Sequence, residues 1–519
     1  MTISPGRSRR ALSYRMGALT ALLVAAALHP EPAAAAPGET IAALAPAAPV
    51  AIGDSDIAAR LQASTLQVAG EPVRAALLRR FYELHGFAPV WPSRQAAAAA
   101  LWAAVQRSGE HGLDPNSFHA RLLGGAVALT PNDRDLLLSD AFLGYADALA
   151  HGGMAFSSRY DDEDLSPTPI DVGATLANAT AAPDPVKAIE ALAPNTPAYS
   201  VLRQARLRYL AIAAAGGWPQ VSSGSPAALA QRLAIEGYTE PGAEALRAFQ
   251  RAHGLSADGK LGTTTVAELN VGADERARQI AVNLERLRWL PRAMPPDRVV
   301  VNAASAQLHL FRAGVPVFAT RVVVGQADKQ TPEFQAAIES VLFNPPWNVP
   351  LSIANSEILP KLAADPEYLE RHHMVRRRGG GIQQLPGAGT ALGQLKFEMP
   401  NRFDVYLHDT PNKNLFSRDN RNQSHGCVRV QNPRELAALL LQDNAEGIAR
   451  SVAVGGTHRR ALPQPVPVFI TYQTAFLDDT GRVAFRRDVY QRDEEVWRAL
   501  LHLPQAPLAE QIPSSQRGG

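Results

Sequence analysis

The chain has 519 residues, of which 19% are charged, and its formal net charge is +2. So small a net charge, with no basic stripe along the sequence, excludes nucleic acid as a partner. Cys427 is the one cysteine in the sequence. It excludes an internal disulfide and leaves a free thiol that calls for a functional explanation.

The first 36 residues are predicted to be an export signal. Four arginines precede an apolar run from Met16 to Leu28, and the small residues Ala34 to Ala36 suit a signal peptidase. This run is shorter than the roughly 20 residues that a membrane-spanning helix needs. We therefore expect a cleaved leader, a periplasmic location and no membrane span after cleavage. An uncleaved anchor is the less favoured alternative, and the general and twin-arginine export routes both stay open.

An Ala- and Pro-rich stretch at 37–55 is predicted to be a linker without a core of its own. Apolar residues then recur at helical spacing over 73–84, and Ala- and Leu-rich stretches continue to residue 215. Turn-forming clusters separate these stretches. Residues 56–217 are therefore predicted to form an α-helical domain.

A compact three-helix module is predicted at 224–271, because apolar residues recur at helical spacing in three short stretches. The run from Ala248 to Leu255, followed by Asp258-Gly259, resembles the peptidoglycan-binding type 1 module. That resemblance implies binding to the wall polymer, whereas a helical spacer without a ligand is the alternative. We expect a self-contained unit that supplies affinity for the wall and no chemistry.

From residue 298 the periodicity changes to that of strands, which are predicted at 299–301, 306–311, 321–325, 467–472 and 482–485. The segment 344–350, which contains Trp347, is rich in proline and cannot be a central strand, because proline removes ladder donors. It opens a Gly- and Pro-rich insertion that ends near residue 400. Such an insertion beside strands is usually functional.

The stretch Ser424-His425-Gly426-Cys427-Val428-Arg429 surrounds the thiol with groups that suit acyl transfer. A free cysteine is commonly a small buried hydrophobe, but a nucleophilic one needs a base or a neighbour that lowers its pKa. His425, Arg429 and the upstream His408 are the candidates. Because Gly426 lets the backbone approach closely, the amides of Gly426 and Cys427 are expected to face a developing oxyanion.

His408 lies in an alternating segment that is predicted to be a strand. Tyr406 shares its face and is predicted to aid the oxyanion or the substrate. Asp409 is expected to orient His408, more easily through its backbone carbonyl than through its carboxylate. His425, two residues before Cys427, is expected near the thiol as a supporting group. An imidazole with an ordinary pKa of about 6.5 predicts an acylation rate that climbs through that pH.

A histidine followed after fifteen residues by Ser-His-Gly-Cys, as from His408 to Ser424, resembles the L,D-transpeptidases with a YkuD-type catalytic domain. Leu407 to Pro411 and the cysteine stretch are most similar to the YcbB-like subgroup. The resemblance implies a cysteine-dependent enzyme that joins peptidoglycan tetrapeptide stems by 3-3 links through a thioester, without cofactor or metal. It also implies acylation by carbapenems. Cell-wall synthesis enzymes are possible further partners.

The predicted site residues fall into two groups. The catalytic group is Cys427, His408, Gly426 and Asp409. The substrate-binding group is Tyr406, Ser424, His425, Arg429 and Trp347. In the subgroup the insertion at about 345–400 is a capping subdomain, and the segment 81–91 resembles the subgroup's scaffold domain. Thr390 stands where relatives often have asparagine, which puts one hydrogen bond between cap and sheet in question.

The predicted fold class is multidomain α+β. A mixed β-sheet or β-sandwich-like catalytic domain with a capping insertion spans 280–495, next to the α-helical domain and the three-helix module, and a disordered tail spans 496–519. Two other functions stay open. The first is a cysteine peptidase that uses water in place of an amine. The second is a non-catalytic wall-binding scaffold, in which Cys427 is dispensable.

Overall fold

The computed structural model describes residues 56–63, 66–222, 224–503 and Leu508. The predicted export signal and the predicted linker at 37–55 lie outside these residues. Within them, no helix is both long enough and apolar enough to cross a membrane.

The N-terminal part is a set of helices packed around one long central helix. Its helices are α1 (Asp56–Arg60), α2 (Ala75–Leu84), α3 (Gln95–Gln106), α4 (Pro131–His151), α5 (Val172–Ala177), α6 (Val186–Glu190) and α7 (Pro197–Ala214). Helix α4 is buried from Asp135 to His151, as expected for a helix with neighbours on all sides. Thr130 caps it by accepting a hydrogen bond from the Asp133 amide, and Pro131 occupies the first turn.

Two short strands and a parallel strand complete this part: β1 (Gln67–Val68), β2 (Glu71–Pro72) and β3 (Glu163–Asp164). Strand β3 joins the main sheet. The helical core also takes in side chains from much later in the chain, including Trp289, Phe485 and Leu500. The helical part is therefore built together with segments that flank the main sheet.

The module at 224–271 folds as three helices: α8 (Pro226–Glu236), α9 (Ala243–Ala252) and α10 (Thr263–Leu269). Its own core includes Leu233, Leu246, Phe249 and Leu269. Gly237 ends α8 in the left-handed conformation with φ of 96°, which glycine adopts without strain. Helix α11 (Ala273–Arg288) follows and packs in the helical core.

The β domain is one mixed sheet that closes on itself. Its strands are β4 (Arg298–Asn302), β5 (Gln307–Arg312), β6 (Val315–Gly325), β7 (Glu333–Phe343), β11 (Leu395–Glu398), β12 (Leu407–His408), β13 (Asn422–Ser424), β14 (Val428–Val430) and β15 (His458–Thr471), with the cap strands β8 to β10 lying between β7 and β11 in the chain. The order is β11-β12-β14-β6-β5-β4-β15-β7-β3, with β13 on β6 and an added β11–β7 pairing. That pairing returns the sheet to its first strand.

Alternation along these strands defines the inner face of the sheet. In β4, Val299 and Val301 are buried while their neighbours are half-buried, as expected for a period of two. The inner side chains form one apolar cluster that includes Leu308, Val322, Leu407 and Val428. Helices α15 (Pro433–Leu441) and α16 (Ala445–Ala453) follow β14, and α15 covers this cluster with Leu436 and Leu440.

The insertion between β7 and β11 forms a separate small unit, the cap. It contains a three-stranded sheet of β8 (Trp347–Asn348), β9 (Met374–Arg376) and β10 (Ile382–Gln384) in the order β8-β10-β9, and the helices α12 (Leu351–Ile353), α13 (Leu359–Ala364) and α14 (Tyr368–Arg371). Its core consists of Val349, Ala354, Ile358, Met374 and Ile382. Thr390 bonds to the Gly387 carbonyl inside the cap's own loop.

The α+β fold class is confirmed, with both helical units and the sheet domain present. One expectation about the C-terminus is wrong in part, because residues predicted as a disordered tail form helix α17 (Asp493–Leu501) after the hairpin of β16 (Ala475–Leu477) and β17 (Val483–Phe485). Val496 and Leu500 of α17 are buried in the helical core, and that burial stabilises the helix. Residues 504–507 and 509–519 lie outside the described ranges.

Candidate active site

Sheet register brings the sequence-predicted histidine and cysteine segments side by side. Strands β12 and β14 are parallel, with Leu407 opposite Val428 and His408 opposite Arg429. On the other side of β12, Lys396 of β11 is opposite His408. Leu407 and Val428 point into the core, so Lys396, His408 and Arg429 form a row across the opposite face. Cys427 immediately precedes this row.

A cavity of about 1190 Å³ opens over that row. Its lining includes seven of the nine predicted site residues: Trp347, Tyr406, His408, Ser424, His425, Cys427 and Arg429. The other two, Asp409 and Gly426, are sequence neighbours of residues that line the cavity. The cap supplies one wall through Trp347, Val349 and Glu357, so the cap and the sheet enclose the thiol together.

The Cys427 thiol is half-buried and is protonated at neutral pH. Burial raises its pKa above the ordinary value of 9.0, although Tyr406, Lys396 and Arg429 act in the opposite direction. The Tyr406 hydroxyl interacts with both the Cys427 thiol and the Trp347 side chain. Burial and the neighbouring Cys427 raise the pKa of its hydroxyl, which therefore stays protonated and remains a hydrogen-bond donor beside the sulfur.

The His408 imidazole is neutral and has a fixed tautomer. Burial, followed by the positive charge of Arg429, lowers its pKa to about 3, so the expectation of an ordinary imidazole is wrong. Its Nδ1 lies 2.6 Å from the Asp409 carbonyl oxygen. Because a carbonyl can only accept, Nδ1 carries the proton and Nε2 is left as a base.

The Asp409 carboxylate does not contact His408; it anchors the end of the cap instead. It accepts hydrogen bonds from the Gln394 and Thr410 amides at 3.0 and 2.7 Å and from Lys413 Nζ at 2.6 Å. A Cβ atom on Gly393 would lie 2.5 Å from this carboxylate, so a residue with a side chain would clash with Asp409 at this position. Asp409 therefore serves the imidazole through its backbone and the cap through its side chain.

The turn before Cys427 differs from expectation in one respect. Gly426 has a φ of 110°, a conformation that favours glycine. Its amide donates to Ser424 Oγ at 3.2 Å, and that hydroxyl donates to the Cys427 carbonyl at 2.6 Å. The Gly426 amide is thus used inside the turn and does not face an oxyanion. The Cys427 amide has no acceptor among the described residues.

His425 lines the same cavity as Cys427, and its ring bonds to the cap. Its Nε2 lies 2.5 Å from Glu357 Oε1 of the cap, and Lys329 Nζ lies 3.7 Å from the same oxygen. His425 is therefore a contact between the turn at 424–427 and the cap.

Lys396 is a site residue that the sequence analysis missed. Its Nζ lies 4.1 Å from the centre of the Tyr406 ring, and its charge acts on both His408 and Cys427. The alternation of Leu395-Lys396-Phe397-Glu398 was the available signal. Arg429, on the other side of His408, keeps a buried Nε without a hydrogen-bond partner in the described part of the chain. Two cations therefore flank the base, which suits an anionic group on a substrate.

Within the described ranges, no three His, Cys, Asp or Glu side chains are grouped so as to hold a metal ion.

Comparison with known families identifies three segments. Residues 296–468 match the L,D-transpeptidase catalytic domain of the YkuD type, 76–205 match a scaffold domain, and 227–269 match the family described as "Putative peptidoglycan binding domain". The resemblances to the YkuD domain and to the peptidoglycan-binding module are thereby confirmed. The YcbB-like subgroup stays a prediction.

A curated relative from Haemophilus influenzae, named "Putative L,D-transpeptidase", is 32% identical over 243 residues. The match covers 42% of this chain and 49% of the relative, so the chain spans about half the length of the curated relative that it matches.

Solved structures of L,D-transpeptidases also match parts of the chain. One from Mycobacterium smegmatis is 12% identical, with 34% of this chain and 58% of that chain covered and a TM-score of 0.20. One from Xylanimonas cellulosilytica is 18% identical, with 49% and 97% covered and a TM-score of 0.20.

Proposed function

We propose that this protein, which contains an L,D-transpeptidase catalytic domain and a peptidoglycan-binding module, cross-links peptidoglycan stem peptides through a thioester on Cys427. The proposal rests above all on one observation: His408 of β12, with its Nε2 free of a proton, and Cys427, immediately before the neighbouring parallel strand β14, line the same cavity. A base and a thiol so arranged suit nucleophilic acyl transfer.

In the proposed first step, Cys427 Sγ attacks the carbonyl carbon of the L-centre in a donor tetrapeptide stem, and the thiol proton passes to His408 Nε2. Both groups are neutral at rest, so proton transfer accompanies attack and no resting thiolate is required. The Cys427 amide, which has no acceptor among the described residues, and the Tyr406 hydroxyl are the donors for the oxyanion.

The tetrahedral intermediate then breaks its C–N bond, and His408 returns the proton to the departing D-alanine amine. This leaves a thioester on Cys427. The side-chain amine of a second stem attacks the thioester carbonyl and gives a proton to His408. Breakdown of that intermediate forms the new amide, a 3-3 link, and restores the thiol with the proton from His408. Arg429 and Lys396 are proposed to bind a carboxylate of the donor.

The rest of the proposal concerns the setting of this chemistry. The enzyme would act in the periplasm after export, and the module at 224–271 would hold it on the wall polymer while donor and acceptor stems are supplied there. A carbapenem would acylate the same thiol, because its strained carbonyl can occupy the donor position.

The test is mass spectrometry of isolated sacculi after incubation with the protein and muramidase digestion. We expect 3-3 linked dimers with wild-type protein and none with Cys427→Ala, which removes the nucleophile at little cost in packing. Shortened stems without dimers would support the hydrolytic alternative. Unchanged sacculi, together with a carbapenem that leaves no adduct on Cys427 by intact mass, would contradict an enzymatic role.

A further inference from the structure

Behind the catalytic turn lies a closed hydrogen-bond ring that the transpeptidase chemistry above does not use. Thr331, in the loop between β6 and β7, is fully buried. Its Oγ1 accepts from the Gly325 amide at 2.8 Å and donates to the Gly426 carbonyl at 2.8 Å. Its own amide donates to the Tyr490 hydroxyl at 3.2 Å, and that hydroxyl donates to the Gly325 carbonyl at 2.8 Å.

The direction of each hydrogen bond in this ring is fixed. An amide N–H can only donate and a carbonyl can only accept, so the single proton of Thr331 Oγ1 must go to Gly426 and that of Tyr490 to Gly325. The ring also tolerates little movement. A Cβ atom on Gly325 would lie 2.2 Å from the Lys329 carbonyl oxygen. Thr331 is thus held by its backbone and side chain at once.

The bond to Gly426 has a consequence on the other side of the same peptide group. In a planar trans peptide, the carbonyl of one residue and the N–H of the next point in opposite directions. Thr331 is buried behind the turn, whereas Cys427 lines the cavity. Holding the Gly426 carbonyl toward Thr331 therefore turns the Cys427 N–H toward the cavity.

We propose that Thr331 is a positioning residue that aims the Cys427 amide at the oxyanion through its hydrogen bond to the Gly426 carbonyl. The inference rests on the proposed acyl transfer and deepens it. The Cys427 amide matters because the Gly426 amide is already bound to Ser424. Thr331 itself touches neither the substrate nor the thiol proton.

Two reactions of the same thiol separate this role from a general loosening of the turn. Acylation by a carbapenem passes through an oxyanion, whereas alkylation by iodoacetamide displaces iodide and forms none. Thr331→Val keeps the shape of the side chain and removes the hydroxyl. We expect the first-order acylation step to slow by roughly 10- to 100-fold, a part of the 10²–10³ that loss of an oxyanion donor costs. Alkylation should stay within about twofold.

Two further variants complete the design. Thr331→Ser keeps the hydroxyl and should restore most of the acylation rate. Thr320→Val is the matched control, because Thr320 is a buried threonine of β6 whose Oγ1 has no hydrogen-bond partner among the residues that the structure describes. This variant should be acylated like wild type. The pH profile of Thr331→Val should keep its shape, since the base and the thiol are untouched.

The outcomes are distinguishable. No acylation of wild-type protein would contradict the proposed function itself. Normal acylation of Thr331→Val, or equal slowing of acylation and alkylation, would overturn the positioning role alone. If Thr331→Val does not fold, Tyr490→Phe tests the same ring, because it frees the Thr331 amide and leaves the Thr331 hydroxyl in place. Selective slowing of acylation is expected again, and equal slowing of both reactions would overturn the inference.

Discussion

The cap and the peptidoglycan-binding module are both small units with cores of their own, but they are joined to the rest of the molecule by opposite kinds of contact. The cap meets the turn at 424–427 through His425 and Glu357, whose side chains are 30% and 34% exposed. The module meets the helical domain through Glu236, which is buried and lies 2.5 Å from the Tyr209 hydroxyl. Water screens the first contact and is excluded from the second.

More buried contacts join the module to its neighbours. Arg486 donates to the Ala252 carbonyl at 2.8 Å, and Phe485 lies 5.3 Å from the His253 ring. A Cβ atom on Gly254 would lie 2.6 Å from Arg486. The expectation of a self-contained module therefore holds for its core but not for its surface. A binding module recognised by its sequence can thus also brace the domains around it, whereas the cap's contact with the turn is exposed to water.

The largest expected effect is on the acylation rate, and it tests whether the exposed contact between His425 and Glu357 takes part in the chemistry. His408→Ala should slow carbapenem acylation by roughly 10²–10⁴, because it removes the base. His425→Ala breaks the contact between turn and cap and should slow acylation much less. Intact-mass kinetics on both variants measure the difference. If His425→Ala slowed acylation more than His408→Ala, the contact between His425 and the cap would take part in the chemistry and would not be only a link between the turn and the cap.

The next prediction compares how much the buried contact of the module and the exposed contact of the cap each contribute to the free energy of unfolding. Glu236→Gln removes the charge that pairs with Arg232 Nη1 at 2.6 Å, and it should lower the free energy of unfolding by about 3–5 kcal/mol, as for a broken buried pair. Glu357→Gln in the cap should cost no more than about 1 kcal/mol, as for exposed pairs. Urea unfolding at pH 7 compares them. Equal costs would show that the two units are attached alike.

The smallest expected effect is an absence of change with pH. The folded pKa of His408 is lowered to about 3 and the pKa of Cys427 is raised. Between pH 5 and 8 the imidazole therefore stays neutral and the thiol stays protonated, so the acylation rate should vary less than about twofold. Stopped-flow acylation across this range is the measurement. A rate that climbs near pH 6.5 would contradict the neutral His408 on which this prediction rests.

The sequence by itself determined the reacting groups and the kind of fold. Acyl transfer needs a thiol, a base and a glycine turn, and these residue types occur together at His408 and Ser424 to Cys427. The strands followed from alternation, since a strand with one buried face must alternate. The helical module followed from its 3.6-residue spacing.

Tertiary structure alone decided how these groups behave. The pKa of His408 depends on burial and on Arg429 in the next strand. The hydrogen bond from the Gly426 amide to Ser424 depends on the positive φ of Gly426, which a glycine permits but does not require. Thr331 contacts Gly426 across 95 positions of sequence and Tyr490 contacts Gly325 across 165. No local pattern records such contacts, because strand register and loop packing create them only after the sheet has closed.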